Sequence, residues 1–374
     1  MTFPAEGQVV LLVPGLQGPR GATGSDPMDA MNALLQGMEL PAVRQLLLRA
    51  DPLPGPSGLH PEEMFFQLLA LPRSEHGGWP MAALSRLAGH DDARDGFWLR
   101  ADPVHLRPDM SKLLLLEPAS LGLSLEDAWR LANHINGFSG DLGFGVEPDT
   151  ATRWFAPLPS PPRMFASSPA AAHGQDAARN MPRGPDAEVW HHRMNLAQML
   201  LHEAPANQQR EEQGLVSVNS LWMWGAGTLP ESPETHADLM VYADRSWAQG
   251  TARLLGGHGQ PLIAPADEPA TLAAGGPCVL LVEHFTECLR QLDPVAWREQ
   301  LQEFDARWLQ PLLSGLAGNR FRSLHLHLGG GTGLVLTRSM LRRWWTPPRW
   351  WRTSLPALMC RRLRGEPGLS EHPS

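Results

Sequence analysis

The sequence predicts an α/β protein whose sheet is mostly parallel and carries helices on both faces. Three observations point there. Short apolar runs of strand length (Gln8–Val13, Cys278–Val282, Ser323–Leu328) recur along the chain. Stretches with helical spacing lie between them, and Pro/Gly clusters separate the two kinds of segment. That alternation is the signature of strands joined by crossover helices.

Gln8–Val13 reads QVVLLV and stops at Pro14-Gly15, as a strand buried on both faces does. A flexible loop follows at Gly18–Gly24, then helical spacing over Met28–Met38 and Leu40–Arg49. Asp51–Gly58 is Pro/Gly-rich and breaks the chain. His60–Leu71 opens with Pro61 and two glutamates, a good helix start. Phe97–His105 and Leu113–Leu116 read as strands, and Thr150–Leu158 as a further one. Ser124 and Asp127 form a capping box at the head of an amphipathic helix running to Asn136. Pro159–Pro185 has the composition of a linker. Val189–Glu203 is helical, and Leu215–Trp224 reads as a strand ending in a glycine turn. Beyond it, Met240–Val241 begins a unit whose helix Ser246–Leu255 closes at Gly256-Gly257. Val295–Leu313 is predicted as one long helix, and Ser323–Leu328 runs into Gly329-Gly330-Gly331.

The bulk properties set bounds. A chain of 374 residues suggests two or three domains, or one large α/β domain with an insertion. A hydrophobic content of 43% supports a real core. Three scattered cysteines (Cys278, Cys288, Cys360) form neither a disulfide framework nor a zinc cluster, which suits a reducing cytoplasm. There is no apolar run of membrane-spanning length and no signal-peptide pattern. Arg342–Arg364 holds seven arginines and no acid; subtracting that +7 from the net −8 leaves −15 on the rest of the chain. An acidic body disfavours nonspecific nucleic-acid binding.

The most informative stretch is Asn207-Gln-Gln-Arg210, Gly214, then Asn219-Ser-Leu-Trp-Met-Trp-Gly-Ala-Gly227. Asn207, Arg210, Asn219, Gly225 and Gly227 at one sheet edge would make a ligand cradle; a core strand ending in an ordinary turn explains the same residues. In Arg100-Ala-Asp-Pro-Val-His-Leu106, alternation puts Arg100 and Asp102 on one face. Asp102 is placed to orient the His105 imidazole, and Arg153 to add a second anion contact. A structural ion pair between Arg100 and Asp102 is the competing explanation.

Taken whole, the 207–227 string resembles the archaeal-type, cofactor-independent phosphoglycerate mutases, with Ala206, Val218 and Trp224 departing from their pattern and Trp224 standing where an arginine is expected. The resemblance implies an alkaline-phosphatase-like core carrying an inserted smaller α+β domain. It divides the chain into 1–94 (first part of the core), 95–206 (insert, including the 159–185 linker), 207–341 (second part of the core) and 342–374 (basic tail). It also implies two divalent metals, a transiently phosphorylated serine, and an Arg-x-Asn strand touching substrate at Arg100 and Asp102.

At the positions where that family holds its metals, this chain has Pro14, Thr286, Arg290 and Gly329-Gly-Gly-Thr-Gly333. None of these is a carboxylate or imidazole, so no cofactor is expected. The strings Arg100-Ala-Asp-Pro-Val-His-Leu106 and Asn219-Ser-Leu-Trp-Met-Trp-Gly225 resemble the bacterial RpfE-type regulatory group. The expected role is a regulatory or ligand-binding non-enzyme, recognising a small anionic metabolite or a protein and no nucleic acid. An active metal-dependent mutase or phosphohydrolase is the alternative. A third reading is a membrane-surface or protein-interaction role through 342–364, where four tryptophans interleave with arginines; a tail folded back on the acidic body explains the same composition, and Pro347-Pro348 rules out one continuous helix. Lesser candidates are His325 and His327 on one strand face, the pair His191-His192, and the cluster Glu283, His284 and Glu287.

Overall fold

The computed structural model describes residues 3–19, 26–58, 60–73, 78–110, 112–230, 234–267, 275–342 and 354–363. The strands are β1 (Gln8–Leu12), β2 (Asp51–Pro54), β3 (Phe97–Asp109), β4 (Lys112–Leu116), β5 (Glu147–Thr150), β6 (Arg153–Leu158), β7 (Ser220–Gly227), β8 (Met240–Tyr242), β9 (His258–Gln260), β10 (Cys278–Leu281), β11 (Ser323–Gly329) and β12 (Thr332–Thr337). Two compact units emerge. The first comprises Met1–Leu71, Glu234–Asp244 and Leu255–Ser374; the second comprises Pro72–Pro233 and Arg245–Leu254.

The first unit is the predicted α/β sheet, in the order β2-β12-β11-β1-β10-β8-β9. β1 is central and pairs in parallel with both β10 and β11. That position explains its unbroken apolar run, because a central parallel strand has helices over both faces. Val9, Leu11, Leu280, Leu324 and Leu326 face a core built with helices Pro27–Leu35, Pro41–Arg49, Pro294–Glu303 and Gln310–Ala317. Val10, Leu12, Val279 and Leu281 alternate to the other face. Helix Pro61–Leu68, with Met64, Phe65 and Phe66 buried outside that cluster, lies against β1.

Three details of this unit depart from expectation. β12 returns antiparallel to β11 through the turn Gly329–Gly331, whose three φ angles are 85°, 63° and 80°. The long helix expected over Val295–Leu313 is interrupted at Phe304–Leu309 by a wider π turn. Pro311 cannot donate to the preceding turn, and widening is a known way to accommodate such a gap. The wide turn includes buried Asp305, whose Oδ1 accepts the Val43 amide at 2.7 Å. Asp305 thereby caps a helix whose own N-cap, Leu40, offers no side-chain acceptor. Finally, much of the basic tail (343–353 and 364–374) lies outside the described residues, but Leu355–Leu363 is a helix whose Leu358, Met359, Cys360 and Leu363 join the core. This part of the tail is structural.

In the second unit every strand pairing is antiparallel. β3 is long enough to serve three neighbours: β7 along Trp98–Val104, β6 over Phe97–Arg100 and β4 over His105–Asp109. Helix Leu125–Asn136 starts as expected, with Ser124 Oγ accepting the Asp127 amide at 3.0 Å. Helix Met81–Leu87 packs on β3, β7 and helix Ser246–Leu254.

The bounds of this unit, 72 and 233, differ from the expected 95 and 206. β7 completes its antiparallel sheet, so the 207–227 stretch belongs here and not to the parallel sheet. Nor is 159–185 a linker. Phe165 bridges to Arg183, Ser168 and Asp176 cap two short helical turns, and Met164, Ala166, Ala172 and Ala177 are buried. Trp222 Nε1 donates to the Ser167 carbonyl at 2.8 Å and fastens the segment to β7.

Candidate functional site

At the carboxyl end of the parallel sheet, β1 runs into Val13-Pro14-Gly15. Thr286 Oγ1 donates to the Pro14 carbonyl at 3.3 Å, and Trp297 Nε1 to the Gly15 carbonyl at 3.0 Å. A Cβ on Gly15 would lie 3.1 Å from both the Leu289 methyl and the Phe285 Cβ, so helix His284–Arg290 sits directly on this turn. Arg290 pairs with Glu287. Gly330 and Gly331 give their amides to the carbonyls of Gly58 and Pro56 at 3.1 and 2.8 Å. These residues do not fit a dinuclear cation centre: they supply carbonyls already engaged, a hydroxyl, a cation and backbone amides, where a divalent ion needs carboxylates or imidazoles. Among the described residues no group of three His, Cys, Asp or Glu could hold a metal.

His325 and His327 share a face of β11, as alternation requires, with ring centroids 6.4 Å apart. His325 Nε2 meets Ser323 Oγ at 3.1 Å. The His327 ring lies over glycine backbone, with a Cβ on Gly333 or Gly55 falling 2.8 or 3.1 Å from its Nδ1, and that nitrogen has no partner. Burial, reinforced by His325, pushes the His327 pKa down to about 4. Of the remaining minor candidates, His284 packs edge-on against Trp308, His191 has a buried Nε2 without a partner and His192 is exposed.

The residues singled out in the 100–227 region all fall in the second unit. Arg100 and Asp102 meet at its centre. Asp102 Oδ1 accepts from Arg100 Nε at 3.0 Å and Nη2 at 2.8 Å, and Oδ2 accepts from Nη2 at 2.8 Å. The Trp154 amide donates to Oδ1 at 3.1 Å and Trp224 Nε1 to Oδ2 at 2.8 Å. Asp102 is 1% exposed. The Arg100 guanidinium lies 5.1 Å from the Trp224 ring and 5.6 Å from the Phe155 ring. Burial lowers its pKa, with Asp102 opposing the shift.

His105 does not join Asp102. Its Nδ1 lies 2.8 Å from the Ser217 carbonyl, which fixes that nitrogen as the N–H donor. The reason is the pleat: three residues apart on β3, Asp102 and His105 point to opposite faces of the sheet. Arg153 binds Asp149 at 2.6 Å, and Asp149 in turn meets His90 Nε2 at 2.8 Å. Burial alone would raise the Asp149 carboxyl, but the hydrogen bonds and charges of His90 and Arg153 together outweigh it and hold the group below its ordinary range.

Asn207, Arg210 and Asn219 brace backbone. Asn207 Nδ2 donates to the Leu201 and Val218 carbonyls at 2.8 and 2.7 Å, and its Oδ1 accepts the Val218 amide at 2.9 Å. Arg210 Nη2 donates to Leu121 and Val216 carbonyls at 2.6 and 2.9 Å. Asn219 exchanges two bonds with the Leu106 main chain at 2.7 and 2.9 Å, extending the β3–β7 ladder through its side chain. Gly225 and Gly227 are cradles for protein: a Cβ at either would sit 2.7 Å from Met81 Cβ or 2.8 Å from Pro80 Cβ. Substituting Arg210 by methionine is therefore expected to cost about 2 kcal/mol, because buried carbonyls lose a charged donor. Denaturant titration with tryptophan fluorescence would check it; an unchanged midpoint contradicts the bracing role.

Four residues were not singled out from sequence for these roles: Trp154 and Trp224 as donors to Asp102, and His90 and Asp149 as a pair. Trp224 becomes visible only once β7 is registered against β3, which sets Trp222 opposite Asp102 and Trp224 opposite Arg100.

No protein-family model matches the chain. It is 28% identical over 138 residues to a probable 2,3-bisphosphoglycerate-independent phosphoglycerate mutase of Geobacter sulfurreducens, covering 37% of this chain and 35% of that relative. It is 38% identical over 63 residues to a 2,3-bisphosphoglycerate-independent phosphoglycerate mutase of Methanothrix thermoacetophila, covering 17% of this chain and 16% of the relative. The chain thus matches about a third or less of the length of these relatives. Among solved structures, the PH0037 protein from Pyrococcus horikoshii aligns over 90% of this chain and 88% of its own, with a TM-score of 0.55 and 14% identity, a likeness of fold. Over the matched segments the chain is similar to these phosphoglycerate mutases.

Proposed function

We propose that this protein is a phosphoglycerate-mutase-like scaffold that binds and regulates without catalysing phosphoryl transfer, in the manner of the bacterial RpfE-type group it resembles. The observation that carries the reading is the donor set at the carboxyl end of the parallel sheet. Pro14 is closed over by Thr286, Arg290 is paired with Glu287, and Gly330 and Gly331 are spent on main-chain carbonyls. At these positions no carboxylate or imidazole takes the place of a cation ligand, and no phosphotransfer step is derived through a metal. The partner class is a protein or a small anionic metabolite, met in the reducing cytoplasm to which three buried, unbridged cysteines are suited.

Purified protein, analysed for manganese, zinc and magnesium and assayed for interconversion of 2- and 3-phosphoglycerate with added manganese, is expected to carry less than stoichiometric metal and to show no turnover. Two bound ions per chain, with an activity lost on chelation, would restore the mutase reading.

A further inference from the structure

The group around Asp102 has the composition of an oxyanion receptor. A guanidinium fork, a main-chain amide and an indole N–H converge on one carboxylate, making five contacts between 2.8 and 3.1 Å. Arginine forks and backbone amides are the donors proteins use for carboxylate and phosphate oxygens. Phe155 and Trp224 flank the guanidinium and hold its plane. Ser85 Oγ accepts from Nη1 at 3.4 Å, leaving the fork turned to Asp102. The donors come from three strands: β3 (Arg100), β6 (Trp154) and β7 (Trp224). Only the anion is local, two residues from its arginine on the same strand.

We infer that Asp102 is a tethered anion that keeps this receptor filled, so the second unit does not take a free phosphate or carboxylate at Arg100. This deepens the reading of a non-catalytic scaffold and rests on it. The ligand class excluded here is the small oxyanion, and Asp102 is the residue that excludes it. Both of its oxygens are saturated, and a competing anion would have to expel a carboxylate that pays no association entropy. By the same reasoning, truncating the side chain opens a vacant site of the right charge. Asp102→Ala leaves Arg100, the Trp154 amide and Trp224 Nε1 facing a space the size of a carboxylate.

The test is chemical rescue. Thermal unfolding of the natural chain, Asp102→Ala and the double variant Arg100→Met/Asp102→Ala would be followed in chloride, formate, acetate and phosphate at constant ionic strength. A ligand bound only to the folded state raises stability logarithmically with its concentration. Asp102→Ala is expected to melt well below the natural chain in chloride and to rise with each decade of formate. The natural chain and the double variant, which lacks either a vacancy or a cation, should stay flat. A phosphate response as strong as that of formate would widen the receptor's class to tetrahedral anions; a response to formate alone restricts it to carboxylates. No anion-dependent rise in Asp102→Ala overturns the inference. If that variant does not fold in chloride, refolding from denaturant supplies the readout. Recovery in formate but not chloride supports the receptor, whereas failure in both, with the double variant refolding, rejects it. None of these results depends on metal content or mutase turnover, so they can fail while the non-catalytic reading stands.

Discussion

Replacing Gly250 with alanine is expected to destabilise the second unit by about 2 kcal/mol. Gly250 lies inside helix Ser246–Leu254, where glycine costs about 1 kcal/mol relative to alanine. The cost is borne because helix Met81–Leu87 crosses at that point. A Cβ would collide with the Leu84 carbonyl oxygen and come within 2.8 Å of its carbonyl carbon and 3.1 Å of the Ala88 nitrogen. These are main-chain atoms, so no rotamer change relieves the clash and the helices must part. Ala82, Ala83, Ala248 and Ala252, fully buried small residues, would lose their close packing with it. Overpacking of this kind costs about 3 kcal/mol or somewhat more, against which alanine's propensity returns about 1 kcal/mol. Gly140→Ala, also in a helix and with nothing within 4 Å of an added Cβ, is the matched control and should hold or slightly raise stability. Equal unfolding midpoints for the two variants would show that the crossing is looser than drawn.

The second large effect is a loss of stability in mild acid traced to His327. The folded chain holds this imidazole neutral down to about pH 4, whereas the ordinary value is 6.5. Above pH 6.5 the ring is neutral folded and unfolded, and it contributes nothing. As pH falls below 6.5 the unfolded chain takes up a proton that the folded chain refuses, so stability declines until about pH 4 and then levels off. The gap is worth about 3 kcal/mol across that window. His327 is 2% exposed, so solvent does little to soften the penalty. His327→Leu removes the titration and should flatten the difference between midpoints measured at pH 7 and pH 4.5. A natural chain and variant that lose stability in parallel over that range would refute the assignment.

The parallel sheet was legible because its strands advertise themselves. β1, β10 and β11 are apolar runs stopped by proline, acid or glycine, and Ser124 with Asp127 announces a helix start. β12 was hidden by the glycines before it, which read as the end of a strand and are also the hinge of a hairpin. The linker composition of 159–185 misled because proline and alanine serve a packed irregular segment as well as a loose one. What decided its fate was Trp222 reaching Ser167, a contact across 55 residues. The candidate site suffered the same ambiguity. Asn207, Arg210 and Asn219 stood out as polar residues in an apolar setting. Sequence cannot say whether such a group faces a ligand or a carbonyl of its own chain, since both uses demand the same donors. The structure gives each of them main-chain partners, and it gives Asp102 an arginine and two tryptophans in place of His105. Trp224, noted only as a departure from a family pattern, turns out to be coupled to a second departure at Asp102.

Helix Ser246–Leu254 completes the second unit although it is encoded after a return to the first, so the chain crosses the boundary four times. A gene fragment for residues 72–233 would therefore specify an unfinished domain, with the groove around Leu84 bare. Proteolytic nicks at both ends of that fragment would not free it either, because the late helix would keep hold of it. Dissecting this protein calls for grafting 245–254 onto the fragment.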